Sequence, residues 1–293
     1  MIPKIIHYCW FGGNPIPKEA IDCIESWKKF CPDYQIKRWD ETNFDLESCD
    51  YAKEAYAIKK WAFVSDYARF KILYEEGGIY FDTDVELVKP IDDIVQNGQF
   101  MACESCYRFK DDSIFGKRDG KNGVVSSIAT GLGIAFEKGD GFLKEILDSY
   151  NRSHFRINDF LYDKTTVVSR VSKLMEKNGF DKYCHEIQVI GDITIYPERF
   201  FSGRDNLTGE INITDDTKSI HHGAASWISA DEKKIVRKRK EYKGRGKIVF
   251  IMGSIGLLPR QFIQGIVRYG LKNYIYSNVY RFATGINVGV VDE

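Results

Sequence analysis

The segment Gly77-Gly78-Ile79-Tyr80-Phe81-Asp82-Thr83-Asp84 constrains this chain more than any other. Three bulky apolar residues after a double-glycine break read as a short buried strand, and two carboxylates follow where that strand ends. Residues two apart in a strand point to the same side, so Asp82 and Asp84 can converge on one object. The carboxyl end of a strand is also where an α/β sheet places its ligands. Two unpaired carboxylates at close range repel, and a hard divalent cation relieves the conflict. Mg²⁺ or Mn²⁺ is held by few carboxylates, with ligand phosphates completing its shell.

The preceding sequence supplies a frame for that strand. Lys4 to Trp10 reads as a buried strand, and Phe11-Gly12-Gly13-Asn14-Pro15 as the turn that ends it. Ala20, Cys23, Ile24 and Trp27 recur at helical spacing before Pro32, and Tyr34 to Trp39 reads as a second strand, so the amino terminus is expected to form a parallel βαβ unit. Residues 50–76 are expected to be helical throughout, with Phe63, Tyr67, Phe70 and Tyr74 as an apolar stripe. Asp66 and Arg69, three apart, share a different face of that helix and stand just after Ser65. Further helices are expected at 140–150 and 163–178, and short strands at 187–190, 193–196 and 218–221. Thr130-Gly131-Leu132-Gly133 lacks the third glycine of a dinucleotide fingerprint and reads either as a plain turn or as a site of close backbone approach at Gly131 or Gly133.

Composition narrows the class. With 43% hydrophobic and 29% charged residues, 293 residues suffice for a substantial core, and a net charge of zero does not point to an anionic partner. The 17 Tyr and 19 Phe are mainly core material. Seven scattered cysteines with no apparent signal peptide suggest reduced thiols and a cytoplasmic setting, and Cys103/Cys106 has no second CxxC to complete a zinc ribbon. The longest apolar run, from Ile248 to Leu258, is roughly half of the ~20 residues a membrane span needs.

Taken together, Ala62 to Asp84 (Ser-Asp-x-x-Arg on a helix, then Gly-Gly-x-Tyr-x-Asp-x-Asp) closely resembles the signature of DXD-containing sugar transferases, glycosyltransferase family 32. That group includes the yeast Och1-type mannosyltransferases, bacterial capsular polysaccharide transferases and, more distantly, the clostridial glucosylating toxins. Ile2 to Gly13 resembles the family's first strand, and Ile220-His221-His222-Gly223-Ala224-Ala225-Ser226-Trp227 its closing motif. The resemblance implies a GT-A fold, a Rossmann-like mixed α/β sheet flanked by helices, and retaining transfer of a hexose from a nucleoside-diphosphate sugar, UDP-sugar favoured, to a glycan or lipid-linked acceptor in capsular or lipopolysaccharide synthesis. Carried over by position, Trp10 would stack on the nucleotide base, and Ser65, Asp66, Arg69 and Tyr80 would contact the donor. Asp82 would hold ribose and sugar hydroxyls, and Asp84 the Mn²⁺ or Mg²⁺. His221 or His222 would complete the metal shell, with His221 preferred because it shares a face with Ser219. Ser226 and Trp227 would touch the diphosphate.

Two rival readings remain. Ile79 to Val85 also fits a haloacid-dehalogenase-type phosphatase with Asp82 as nucleophile, although Asp215-Asp216 is a poor acidic partner for it. The second rival is a non-catalytic membrane-surface protein built on the carboxyl-terminal segment. There, residues 233–247 hold nine Lys or Arg against the single acid Glu241, and Ile263, Val267, Leu271 and Tyr274 line one helical face. This sets a domain boundary near 230, with 1–230 catalytic and 231–293 a basic, amphipathic extension. Residues 233–275 would meet anionic headgroups on the inner face of the cell membrane. No nucleic-acid module is present to claim the basic run.

Overall fold

The computed structural model describes residues 1–107, 124–159, 161–205 and 209–224, together with positions 234, 238, 277 and 288–290. The boundary expected near 230, the 263–274 face and all of the basic run except positions 234 and 238 lie outside the described residues. In chain order the elements are β1 (Ile5–Cys9), α1 (Lys18–Phe30), β2 (Gln35–Trp39), a 3-10 turn (Leu46–Ser48), α2 (Asp50–Ala57) and α3 (Trp61–Glu76). Next come β3 (Gly78–Tyr80), β4 (Val85–Leu87), α4 (Asp92–Val95), β5 (Gln99–Tyr107), β6 (Val124–Ile128), β7 (Ile134–Phe136) and α5 (Gly141–Asn151). The rest are β8 (Leu161–Asp163), α6 (Val167–Lys177), β9 (Gln188–Ile190), β10 (Ile193–Tyr196), α7 (Glu198–Phe201), β11 (Ser219–His221) and β12 (Val288–Val290).

Eight strands form one mixed sheet in the order β2-β1-β3-β7-β5-β10-β9, with β6 also paired to β5. β1 runs parallel to β2 and β3, as the expected βαβ unit requires. β7 lies antiparallel between β3 and β5. Strand alternation sends Ile79 and Phe81 to one face and Tyr80 to the other. Ile79 and Phe81 join Trp27 and Phe201 in one core layer, while Tyr80 joins Phe63, Phe70 and Leu143 in a second. Helices therefore cover both faces, and this is the mixed α/β architecture the resemblance implied. Each fully buried large apolar side chain contributes on the order of 1.5–3 kcal/mol.

The helix expected over 50–76 is two helices. Lys59 takes the left-handed conformation at φ 57°, and the amides of Lys59 and Lys60 bond back to Tyr56 and Ala55, which closes α2. The Tyr56 and Trp61 rings, 4.9 Å apart, pack across the bend. The helix expected at 163–178 starts only at Val167, because 161–163 is spent in β8 and Thr166 caps the helix through Ser169. α3 is not a one-sided helix either: Val64, Ala68, Ile72 and Leu73 are buried along with the Phe63/Tyr67/Phe70 stripe. At its end, Gly78 has φ 107°, and a Cβ there would stand 2.8 Å from the Ile5 carbonyl and 2.9 Å from His7. Only glycine lets the chain turn this closely into β3.

His7 closes that junction. It is fully buried, its Nε2–H donates to the Gly77 carbonyl at 2.9 Å, and its Nδ1 accepts from the Trp39 indole at 3.0 Å. Burial pulls its pKa from 6.5 down to about 4, against the opposing Gly77 bond. The unfolded chain therefore takes up the proton first on acidification. The stabilising effect is complete above pH 6.5 and is lost as pH falls toward 4. Denaturant unfolding should show stability dropping by about 3 kcal/mol over that window, and a His7→Gln variant should lose most of this slope. Equal slopes in the two proteins would remove His7 as the cause.

Candidate functional site

β3 delivers Asp82 and Asp84 to the carboxyl end of the sheet, and the two acids separate into different environments. Asp82 joins a cluster around Arg69. The Arg69 guanidinium, 3% exposed, donates from Nη2 to Asp66 Oδ1 at 2.8 Å and stands 3.3 Å from Asp82 Oδ1. Its Nε donates to the Ser65 carbonyl at 3.2 Å and its Nη1 to the Thr130 hydroxyl at 3.1 Å. The guanidinium lies 4.8 Å from the Tyr80 ring centroid, and the Tyr80 hydroxyl donates to Asp82 Oδ1 at 2.9 Å. The Asp66–Arg69 pair is thus buried rather than an exposed surface bridge, and Asp82, with 35% of its side chain exposed, is the carboxylate that opens outward.

Burial pushes the Asp66 carboxyl up to about 6; Arg69 opposes this and Asp82 reinforces it. Tyr80 is raised well above its ordinary value, first by burial and then by Asp82, so it remains a hydroxyl donor. Beneath the cluster the Cys9 thiol is pushed up to about 12 by burial, so it is not a nucleophile.

Asp84 belongs to a second group. β11 pairs antiparallel with β4, setting His221 opposite Val85 and bringing its Nε2 to 3.4 Å from Asp84 Oδ2. The Ala224 amide donates to the same carboxylate at 2.8 Å. Burial pushes Asp84 upward, but the bond from His221 and the Ala224 amide outweigh it, so the carboxyl sits below its usual range. Burial likewise pulls His221 down, and Asp84 more than reverses it.

Of the two histidines proposed for the metal shell, the structure brings only His221 to Asp84. His222 bonds to Glu86 Oε2 at 2.9 Å, and its amide donates to the Asp84 carbonyl, so its ring is committed elsewhere. The reason is register: neighbouring strand residues face opposite ways, and only the pairing with β4 decides which one meets Asp84. Cis ligands of an octahedral ion about 2.1 Å away stand roughly 3 Å apart, so Asp84 and His221 fit as two corners of a site completed by phosphate and water. Among the described residues, no group of three or more His, Cys, Asp or Glu forms a ready-made cage.

The other expected residues fall as follows. Trp10 follows β1 at the same end of the sheet, half-buried, with its indole donating to the Asn14 carbonyl at 2.7 Å. Ser65 supplies its carbonyl to Arg69, while its hydroxyl donates to the Trp61 carbonyl at 3.2 Å, within its own helix. Ser226 and Trp227 lie outside the described residues. Cys103 and Cys106, both on β5, are free thiols, and the other five cysteines are free as well. Of the acidic pair a phosphatase would need, Asp216 is engaged elsewhere: its carboxylate accepts from Arg199 at 3.1 Å. Sequence reasoning missed Thr130 as the Arg69 acceptor. It also missed the close approach of Gly131 to Asp82, beyond noting that its backbone could come near something.

The site thus consists of a strand-end DXD segment with a buried Asp-x-x-Arg pair behind it. Residues 17–101, from before α1 into β5, match the model of a family described as the glycosyltransferase sugar-binding region containing DXD motif. Inositol phosphoceramide mannosyltransferase 3 of Schizosaccharomyces pombe is 26% identical over 162 residues, 53% of this chain and 38% of that protein. The initiation-specific alpha-1,6-mannosyltransferase of Candida albicans is 28% identical over 109 residues, 34% of this chain and 28% of that protein. The chain therefore spans less than half the length of these curated relatives. Among solved structures, a glycosyltransferase involved in the glycosylation of the major capsid of PBCV-1 superposes with a TM-score of 0.40 at 14% identity, covering 80% of this chain and 100% of that one.

Proposed function

We propose that this domain transfers a hexose, with retention, from a nucleoside-diphosphate sugar to a glycan or lipid-linked acceptor, UDP being the favoured nucleotide. The observation that carries this reading is the division of labour inside one three-residue segment. Asp82 is held by Tyr80 and Arg69 as a hydroxyl acceptor, while Asp84 is paired with His221. An aspartyl nucleophile for phosphate would instead need the second acid within the same group.

In this reading Trp10 stacks on the base, and the carboxylates of Asp66 and Asp82 accept hydrogen bonds from sugar hydroxyls. Arg69 aims both carboxylates. Asp84 and His221 would hold Mn²⁺ or Mg²⁺, which supplies charge neutralisation to the departing diphosphate. Ser226 and Trp227 carry the expected diphosphate contacts. The basic segment 233–247 suits a peripheral anchor at an anionic cytoplasmic membrane face that brings the domain to a lipid-linked acceptor in surface polysaccharide synthesis. The mannosyltransferase names of two relatives put GDP-mannose on the same test panel as UDP-glucose and UDP-galactose.

With Mn²⁺ present, one of these nucleotide sugars at about a hundred times its Kd should stabilise the protein by about 2.7 kcal/mol and undergo slow release of the nucleoside diphosphate. Hydrolysis of simple phosphomonoesters in place of that release would overturn the reading.

The proton on Asp66 gives a second expected result. Its carboxyl titrates near 6 because of burial, and the ionised form is the acceptor, so kcat/KM for the donor should fall as pH drops below about 6. The same shift costs fold stability above pH 6, a cost that vanishes below the unfolded value of 3.8. A kcat/KM that stays flat from pH 5 to 8 would contradict the role assigned to Asp66.

A further inference from the structure

We propose that Thr130 is a positioning residue of the donor site, the group that sets the plane of Arg69; this rests on the nucleotide-sugar reading above. Thr130 opens the turn between β6 and β7 and has no exposed surface. Its hydroxyl oxygen accepts from Arg69 Nη1 at 3.1 Å, across 61 residues of sequence. The rest of the guanidinium is tied on other sides: Nε to the helix at Ser65, Nη2 to Asp66 and close to Asp82. Among the described residues, Nη1 has no other acceptor.

The next residue of the turn matters equally. The Gly131 carbonyl accepts the Asp82 amide at 2.9 Å. One two-residue turn therefore fixes the Arg69 head from one side and the Asp82 backbone from the other. Remove the Thr130 hydroxyl and a buried N–H loses its partner, so the guanidinium turns to find another. Any such rotation moves Nη2 relative to both carboxylates, because the guanidinium is one rigid plane. The nucleotide half of the donor does not depend on this contact, whereas the sugar half does.

The test compares Thr130→Val with Thr130→Ser in Mn²⁺. Calorimetry with the nucleoside diphosphate of the donor that the wild type turns over should give the same affinity for both variants and the wild type, showing that fold and nucleotide site are intact. With the nucleotide sugar that the wild type turns over, Thr130→Val should lose about ten- to a hundredfold in kcat with donor KM changed less than about threefold. Thr130→Ser, which keeps the acceptor, should recover to within about threefold of wild-type kcat. If valine does not fold, Thr130→Ala removes the same acceptor without filling the space and is read in its place. Wild-type kcat in the valine variant overturns the inference, and so does a serine variant as impaired as valine, which would assign the effect to packing. A wild type that turns over none of UDP-glucose, UDP-galactose or GDP-mannose removes the underlying reading, and that result is seen before any variant is made.

Discussion

Replacing Asp84 with asparagine is expected to abolish cation-dependent nucleotide binding and to cost on the order of 10³-fold in transfer, while the protein stays folded. The amide oxygen of asparagine can still accept the Ala224 N–H that Asp84 receives at 2.8 Å, so the local backbone keeps its bond. What disappears is the negative charge facing His221 at 3.4 Å. Asp82→Asn makes the informative contrast. It retains an acceptor for the Tyr80 hydroxyl and the ribose but weakens the attraction to Arg69, so it should keep Mn²⁺-dependent UDP binding to within a few-fold and fail in turnover. Calorimetry with Mn²⁺ and UDP, paired with product formation, separates the two. Wild-type Mn²⁺–UDP affinity in Asp84→Asn would remove Asp84 from the metal role, and equal defects in both variants would contradict the division between the two acids.

A single added methyl group should do comparable damage at Gly131. A Cβ there would stand 1.9 Å from Asp82 Oδ2 and 2.8 Å from its Cγ, which no rotamer of the glycine's replacement can relieve. Asp82 would have to swing away from Tyr80 and Arg69, or the turn would have to retreat and release the Asp82 amide. Gly131→Ala is expected to lose about 10²-fold in turnover with a stability loss of about 1–3 kcal/mol. Gly133→Ala is the control for simple overpacking. Its Cβ would meet the Phe81 ring at 2.9 Å from a backbone at φ 155°, so the larger change there should be in thermal stability. An alanine at 131 with near-normal turnover would mean that Asp82 does not need the geometry described.

The parts of the fold that were legible in the sequence are those whose signal is local. Ala20, Cys23, Ile24 and Trp27 announced α1 by spacing alone, and all four are buried. The Gly77-Gly78 break announced β3, because only glycine makes that turn. β5 gave no such signal. Gln99-Phe-Met-Ala-Cys-Glu-Ser-Cys-Tyr107 has no clean alternation, and it is a strand because β7, β10 and β6 all hydrogen-bond to it. β7 is three residues long and owes its state to lying between β3 and β5. The same holds at the site. Asp66, Arg69, Asp82 and Asp84 were legible because they lie on one contiguous motif. Thr130 was not, since nothing in its neighbourhood marks it as the partner of a guanidinium on another element. The choice between His221 and His222 likewise hung on the register of β11 with β4, which a three-residue strand does not disclose by itself.

The order in which the site is gathered along the chain has a consequence for biosynthesis. Asp84 and Ala224 are bonded across 140 residues, and the strand between β3 and β5 is filled by β7, a later segment than either. A chain emerging from the ribosome thus exposes the Asp82 and Asp84 carboxylates long before Gly131 or His221 exists to hold them. Contacts this distant in sequence close slowly and late. On the proposed reading, the capacity to engage a nucleotide sugar would then appear only when the strand beside β4 has docked, so ligand binding would double as a report that folding has run to completion.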